Sequence, residues 1–114
     1  MSQLQQMRKG STHLLILTVL ADKPMYGYQI MRELEARSQG YFTMTAALLY
    51  PILHKLEADG LVTADWRDGS GKRQRKYYMI TDAGRKALKT YLSEWRIFVG
   101  KLFSTLQVPQ GGDA

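Results

Sequence analysis

Cysteine is absent from the 114 residues, which excludes disulfide frameworks and thiolate-held metal sites. Histidine occurs only at positions 13 and 54, far apart, and no Gly-rich phosphate loop is present. Nothing in the chain assembles a nucleophile with a base, a carboxylate pair or a metal cluster, so neither enzyme nor cofactor is expected. Asp65, Asp68 and Asp82 read as turn and cap residues. No apolar run approaches the ~20 residues of a membrane span, and the N-terminus lacks a signal-peptide pattern. The simplest expectation is a cytoplasmic protein with no membrane partner.

What is present is positive charge and helical periodicity. The net charge is +6 with a pI of about 9.7, and 45% of the residues are hydrophobic, as in a single soluble domain. The surplus is spread evenly, so this is not a globular body with a basic tail. One local concentration stands out: Lys72, Arg73, Arg75 and Lys76 fall within five residues. Such a cluster fits phosphate contact and counterion release; a solvated charged hairpin is the plainer alternative.

The stretch 43–60, TMTAALLYPILHKLEADG, reads as one amphipathic helix with a glycine stop. Leu49, Ile52, Leu53 and Leu56 share a core-facing stripe. Ala47, Tyr50, Pro51 and His54 occupy the other face, with Lys55 at its margin. A helix with core behind and small or polar groups in front suits a DNA major groove; an ordinary surface helix is the bland alternative. Pro51 requires that the helix start close before it or bend there. Tyr50 is either a phosphate or base contact or a partly buried support, and His54 either a contact or a bystander.

Before this stretch, residues 1–10 are polar apart from Leu4 and Met7, forming a leading helical arm or fraying. Ser11 and Thr12 are expected to cap a helix carrying Leu14, Leu15, Leu17, Val19 and Leu20, with His13 structural and Pro24 ending the segment. A second helix is expected over about 26–38, broken by Gly40. After it, 61–67 and 75–80 read as strands around the turn 68–71, a two-stranded hairpin with a basic tip. Thr81 caps a final helix over 82–106. There Leu88, Tyr91, Trp95, Phe98 and Leu102 step by 3,4,3,4, with Leu92, Val99, Phe103 and Leu106 widening the seam. At ~1.5 Å per residue it outruns so small a domain and calls for a second copy. The tail 108–114 is expected to be disordered.

Three helices, a hairpin and a long helix is the order of a mainly α (α+β) winged helix-turn-helix. The segments MYGYQIMREL (25–34), LLYPILHKLEADGLV (48–62) and RKYYMITDAGRKAL (75–88) resemble the PadR family of bacterial transcriptional regulators, in its short form with one C-terminal helix. The resemblance covers about residues 10–100. It implies a winged-helix domain over 11–80 and a dimerisation helix over 81–107, aided by the first helix with Leu4 and Met7. It also implies a third helix in the major groove and a wing on phosphates or the minor groove. The reader positions are then Thr43, Thr45, Ala46, Ala47, Tyr50, Pro51, His54 and Lys55. The wing positions are Lys72, Arg73, Gln74, Arg75 and Lys76, and Tyr26 and Gly27 lie near the DNA backbone.

The family often has Gly-Thr-Leu-Tyr-Pro where this chain has Ala47-Leu48-Leu49-Tyr50-Pro51. Leu48 thus lacks the usual hydroxyl; packing on a thymine methyl is the alternative contact open to it. The expected function is a homodimeric repressor on a palindromic operator of double-stranded DNA. A flat apolar effector near Trp95, Phe98 and Val99 would release it; plain interface packing is the alternative role of Trp95. Two competitors remain: a winged-helix protein-interaction module without specific DNA binding, and a ligand-binding or enzymatic dimer with a hydrophobic centre.

Overall fold

The computed structural model describes residues 2–68, 71 and 73–107, the side chains of Leu4 and Gln5 excepted. The expectations for Lys72, for the Leu4 side chain and for the tail 108–114 fall outside those residues. The elements follow in order as α1 (Gln3–Leu20), β1 (Met25–Tyr26), α2 (Gly27–Arg37), α3 (Ala46–Ala58), β2 (Val62–Asp68), β3 (Gln74–Ile80) and α4 (Asp82–Leu106). The fold is a winged helix-turn-helix with a long C-terminal helix.

Apolar residues from every layer meet in one core: Ile16, Leu17 and Leu20 of α1, Ile30 and Leu34 of α2, and Leu49, Leu53 and Leu56 of α3. Val62 and Tyr78 close it from the sheet. The α3 stripe read from spacing is therefore its buried face, with Ile52 packed at the margin. Burying each large apolar side chain contributes roughly 1.5–3 kcal/mol, and this pins three helices and the sheet as one body.

Two local expectations are corrected. Ser11 and Thr12 do not cap α1, which begins at Gln3; both hydroxyls lie inside the helix and donate to the Arg8 carbonyl, at 3.0 and 2.9 Å. Nor is the sheet two-stranded. The order is β1-β3-β2, all antiparallel, with Met25 opposite Tyr78 and Tyr26 opposite Tyr77. Tyr26 thus ends a strand and precedes the first turn of α2, where its amide donates to Gln29 Oε1 at 3.2 Å.

Thr81 locks α4 onto the rest. Its Oγ1 accepts from the Gly84 amide at 3.0 Å and donates to the Gly60 carbonyl at 2.7 Å, while its amide donates to the Leu61 carbonyl at 3.1 Å. Gly60 itself has φ +76°, the left-handed geometry that ends α3. Thr81→Ala is expected to lower stability by about 1–2 kcal/mol through loss of the cap, measured as a lower urea midpoint with an unchanged slope.

From this joint α4 runs outward, and the chain extends 56 Å along its longest axis against 28 and 26 Å across. Leu88 and Tyr91 pack against the protomer's own core. Beyond them Ile97, Phe98 and Leu106 are 61%, 57% and 58% exposed.

Candidate nucleic-acid interface

Backbone geometry at the start of α3 follows from two residues. Thr45 sits in extended conformation before the helix, and its Oγ1 accepts from the Leu48 amide at 3.3 Å. Pro51 is the sixth residue of α3 and has no amide hydrogen, so the Ala47 carbonyl lacks its intrahelical donor on an exposed turn. All eight reader positions, Thr43, Thr45, Ala46, Ala47, Tyr50, Pro51, His54 and Lys55, are exposed. Lys55 pairs with Asp59 at 3.3 Å, one turn on.

Tyr50 crosses to the start of α2. A Cβ added at Gly27 would fall on the Tyr50 hydroxyl, with its ring carbon Cζ at 2.7 Å, so only glycine admits the phenol there. This close approach joins two helices through an otherwise exposed side chain. Because the obstruction is the far end of a movable ring, Gly27→Ala is expected to cost less than about 1 kcal/mol of stability while turning Tyr50 out of place. DNA affinity should fall several-fold, and a Gly27→Ala/Tyr50→Ala double variant should lose no more than Tyr50→Ala alone, as measured by a double-mutant cycle.

The wing residues divide. Arg73 and Gln74 are exposed, and Arg73 has no ion-pair partner among the described residues. Arg75 turns back: its Nη1 donates to the Tyr26 hydroxyl at 2.8 Å, and its guanidinium lies 4.4 Å from the Tyr26 ring centroid. Lys76 is also engaged, with Nζ 3.4 Å from Glu57 Oε1 and 5.3 Å from the Tyr78 ring centroid. Burial pulls its pKa down, but Tyr78 and Glu57 outweigh burial and the net shift is upward, so the ammonium stays charged. Desolvation raises the Tyr78 hydroxyl in turn. The expected basic tip therefore includes two cations that brace the wing against β1 and α3.

One groove of about 430 Å³ collects Tyr26, Gly27, Tyr50, His54, Gln74, Arg75 and Lys76, drawn from β1, α2, α3 and the wing. Trp66, which the sequence did not single out, is 64% exposed at its edge. Its signal was strand alternation: Val62, Ala64 and Trp66 share a face, but the strand outruns the core and leaves the indole outside. Aromatic faces and cationic donors flank a trough between a helix and a hairpin, chemistry suited to a polyanionic strand.

The α4 residues also separate by role. Trp95 is half-buried, meets Phe98 edge-on at 5.8 Å, and lines a groove with Gly10, His13, Leu14 and Tyr91. Val99 is half-buried, while Met7, Leu92, Phe98, Leu102 and Leu106 are exposed. No described helix is long and apolar enough to cross a membrane.

Residues 16–90 match the family described as transcriptional regulator PadR-like. A transcriptional regulator of Mycobacterium tuberculosis, Rv3488, is 36% identical over 85 residues, covering 75% of this chain and 76% of that protein. An uncharacterised protein of Lysinibacillus sphaericus is 33% identical over 87 residues, covering 76% and 80% of the two chains. The crystal structure of a PadR family transcriptional regulator from Eggerthella lenta superposes with a TM-score of 0.82 at 29% identity, over 93% of this chain and 90% of that one.

Proposed function

This chain belongs to the PadR-like family of transcriptional regulators, and from that premise we propose a homodimeric, non-enzymatic repressor that binds a palindromic operator in the cytoplasm. The observation that carries the reading is the groove that joins the reader face of α3 to the wing, with the exposed Arg73 next in sequence to its Gln74. The exposed face of α3 enters a major groove while the wing follows the adjoining backbone. Tyr26, Tyr50 and His54 line the strand between them.

Dimerisation explains why α4 carries Phe98 and Leu106 into solvent, where single-chain packing gives them nothing to cover. Met7, Leu92, Val99 and Leu102 extend the same surface, with Leu4 beside it in sequence. Paired α4 helices fix the distance between the two readers. A planar apolar effector among Trp95, Phe98 and Val99 alters that distance and releases DNA.

Hydroxyl-radical footprinting on DNA flanking the protein's own gene tests this. The expected result is two protected patches related by dyad symmetry, roughly 34–36 Å apart along the duplex. A single asymmetric patch contradicts the dimer.

A further inference from the structure

A second cavity lies away from both the reader–wing groove and the Trp95 seam. It occupies about 530 Å³ between α1 and the entry to α3, a volume typical of small-molecule sites. Leu15, Phe42, Met44 and Leu48 give it apolar walls, and Arg8 and Lys9 border it. No carboxylate lines it. Neither cation has an ion-pair partner among the described residues, and the Arg8 guanidinium is held 5.0 Å from the Tyr41 ring centroid. The Thr12 hydroxyl, also at the wall, is already committed to the Arg8 carbonyl. An apolar body with paired cations at its edge selects one ligand chemistry.

We propose that this cavity binds a small amphipathic organic anion, with its apolar part against Phe42, Met44 and Leu48 and its acid group between Arg8 and Lys9. Leu48 is where this chain departs from the motif it resembles. It is 43% exposed, in the first turn of the reader helix, where the motif this sequence resembles carries a threonine. In this fold its side chain extends the apolar wall of the cavity, which gives the substitution a purpose other than a thymine contact.

The ligand also bears on DNA, a consequence that rests on the proposed function. Thr43 and Leu48 form both the cavity wall and the start of the reader. A bound anion places negative charge beside the turn that approaches DNA phosphates and neutralises two nearby cations. Ligand and DNA therefore weaken each other's binding by the same factor.

The probe is 1-anilinonaphthalene-8-sulfonate, an apolar ring system with one acid group, followed by its fluorescence on the full chain. Leu48→Thr and the Arg8→Ala/Lys9→Ala pair should each weaken binding by about tenfold, with melting temperatures close to that of the parent. Both comparisons are made in a Trp95→Ala background, so that probe held at the α4 seam does not enter them. Decanoate should displace the probe at concentrations where decanol, equally apolar but uncharged, does not. Unchanged binding in the Leu48 and Arg8/Lys9 variants overturns the proposal. Probe uptake per chain that falls as protein concentration rises assigns the cavity to a second copy, and also overturns it. Adding duplex DNA should release the probe. Failure of the protein to bind any duplex defeats the proposed function while the probe measurements still decide the site.

Discussion

Gly84→Ala is expected to lower the melting temperature by on the order of 10–20 °C, the loss expected for roughly 3 kcal/mol in a chain this size. A Cβ at this position would fall on the Leu61 carbonyl oxygen, with the Leu61 carbonyl carbon at 3.0 Å and Ile80 Cγ1 at 2.8 Å. Alanine gains about 1 kcal/mol over glycine in a helix interior, but the collision is with backbone and outweighs it. Leu61 cannot easily retreat. Its carbonyl accepts from the Thr81 amide at 3.1 Å, and its own amide donates to the Leu56 carbonyl at 2.9 Å. Relief therefore requires moving α4 away from the end of α3, which opens the core beneath the wing.

Gly100→Ala provides the control within the same helix. A Cβ there meets nothing within 4 Å, so the change should leave the single chain unharmed or stabilise it by up to about 1 kcal/mol. Thermal denaturation of both variants checks the pair. Equal shifts in the two variants would mean that the contact with Leu61 does not set the loss at Gly84.

Lys72→Ala/Arg73→Ala is expected to reduce operator affinity by on the order of a thousandfold at 0.15 M salt. Each lost phosphate contact removes about 0.9 from the slope of log affinity against log salt. Two residues on each of two protomers then remove between three and four, and a monomer would lose about half that. The reduction should apply to all sequences alike, because phosphate contacts position the protein without reading bases. Arg75→Ala/Lys76→Ala should behave differently. These cations already bond Tyr26 and Glu57 within the chain, so their removal should lower stability and change the salt slope much less. Fluorescence anisotropy across a salt series separates the two pairs; identical slopes would place all four cations on phosphates.

Much of the fold was legible because local signals agreed with tertiary packing. The Leu49–Leu53–Leu56 stripe, the left-handed Gly60 and the Thr81 cap each marked an element that the structure contains. β1 was not legible, since two residues carry no periodicity and exist as a strand only through pairing with Tyr77 and Tyr78. The cap at Ser11 and Thr12 was misplaced because both bond backward inside the helix, and the leading arm is helical and continuous with it.

The candidate site was legible by residue type more than by role. Charge clustering located the wing, but it could not say that Arg75 would stack on Tyr26 while Arg73 stayed exposed. Alternation did carry a clue: Lys76 shares the inward face with Tyr78 and Ile80, and it reaches Glu57 accordingly. On α4 the 3,4 spacing joined residues with different duties. Leu88 and Tyr91 serve the protomer's own core, whereas Phe98 and Leu102 stand outside it.

Binding of the full chain to fragments flanking its own gene, against a random duplex of equal length, tests the central claim most directly when repeated across salt concentrations. A sequence-specific regulator with these readers and wings should prefer one fragment by at least a thousandfold and weaken steeply as salt rises. Equal, weak binding to every fragment, with a shallow salt dependence, would contradict it.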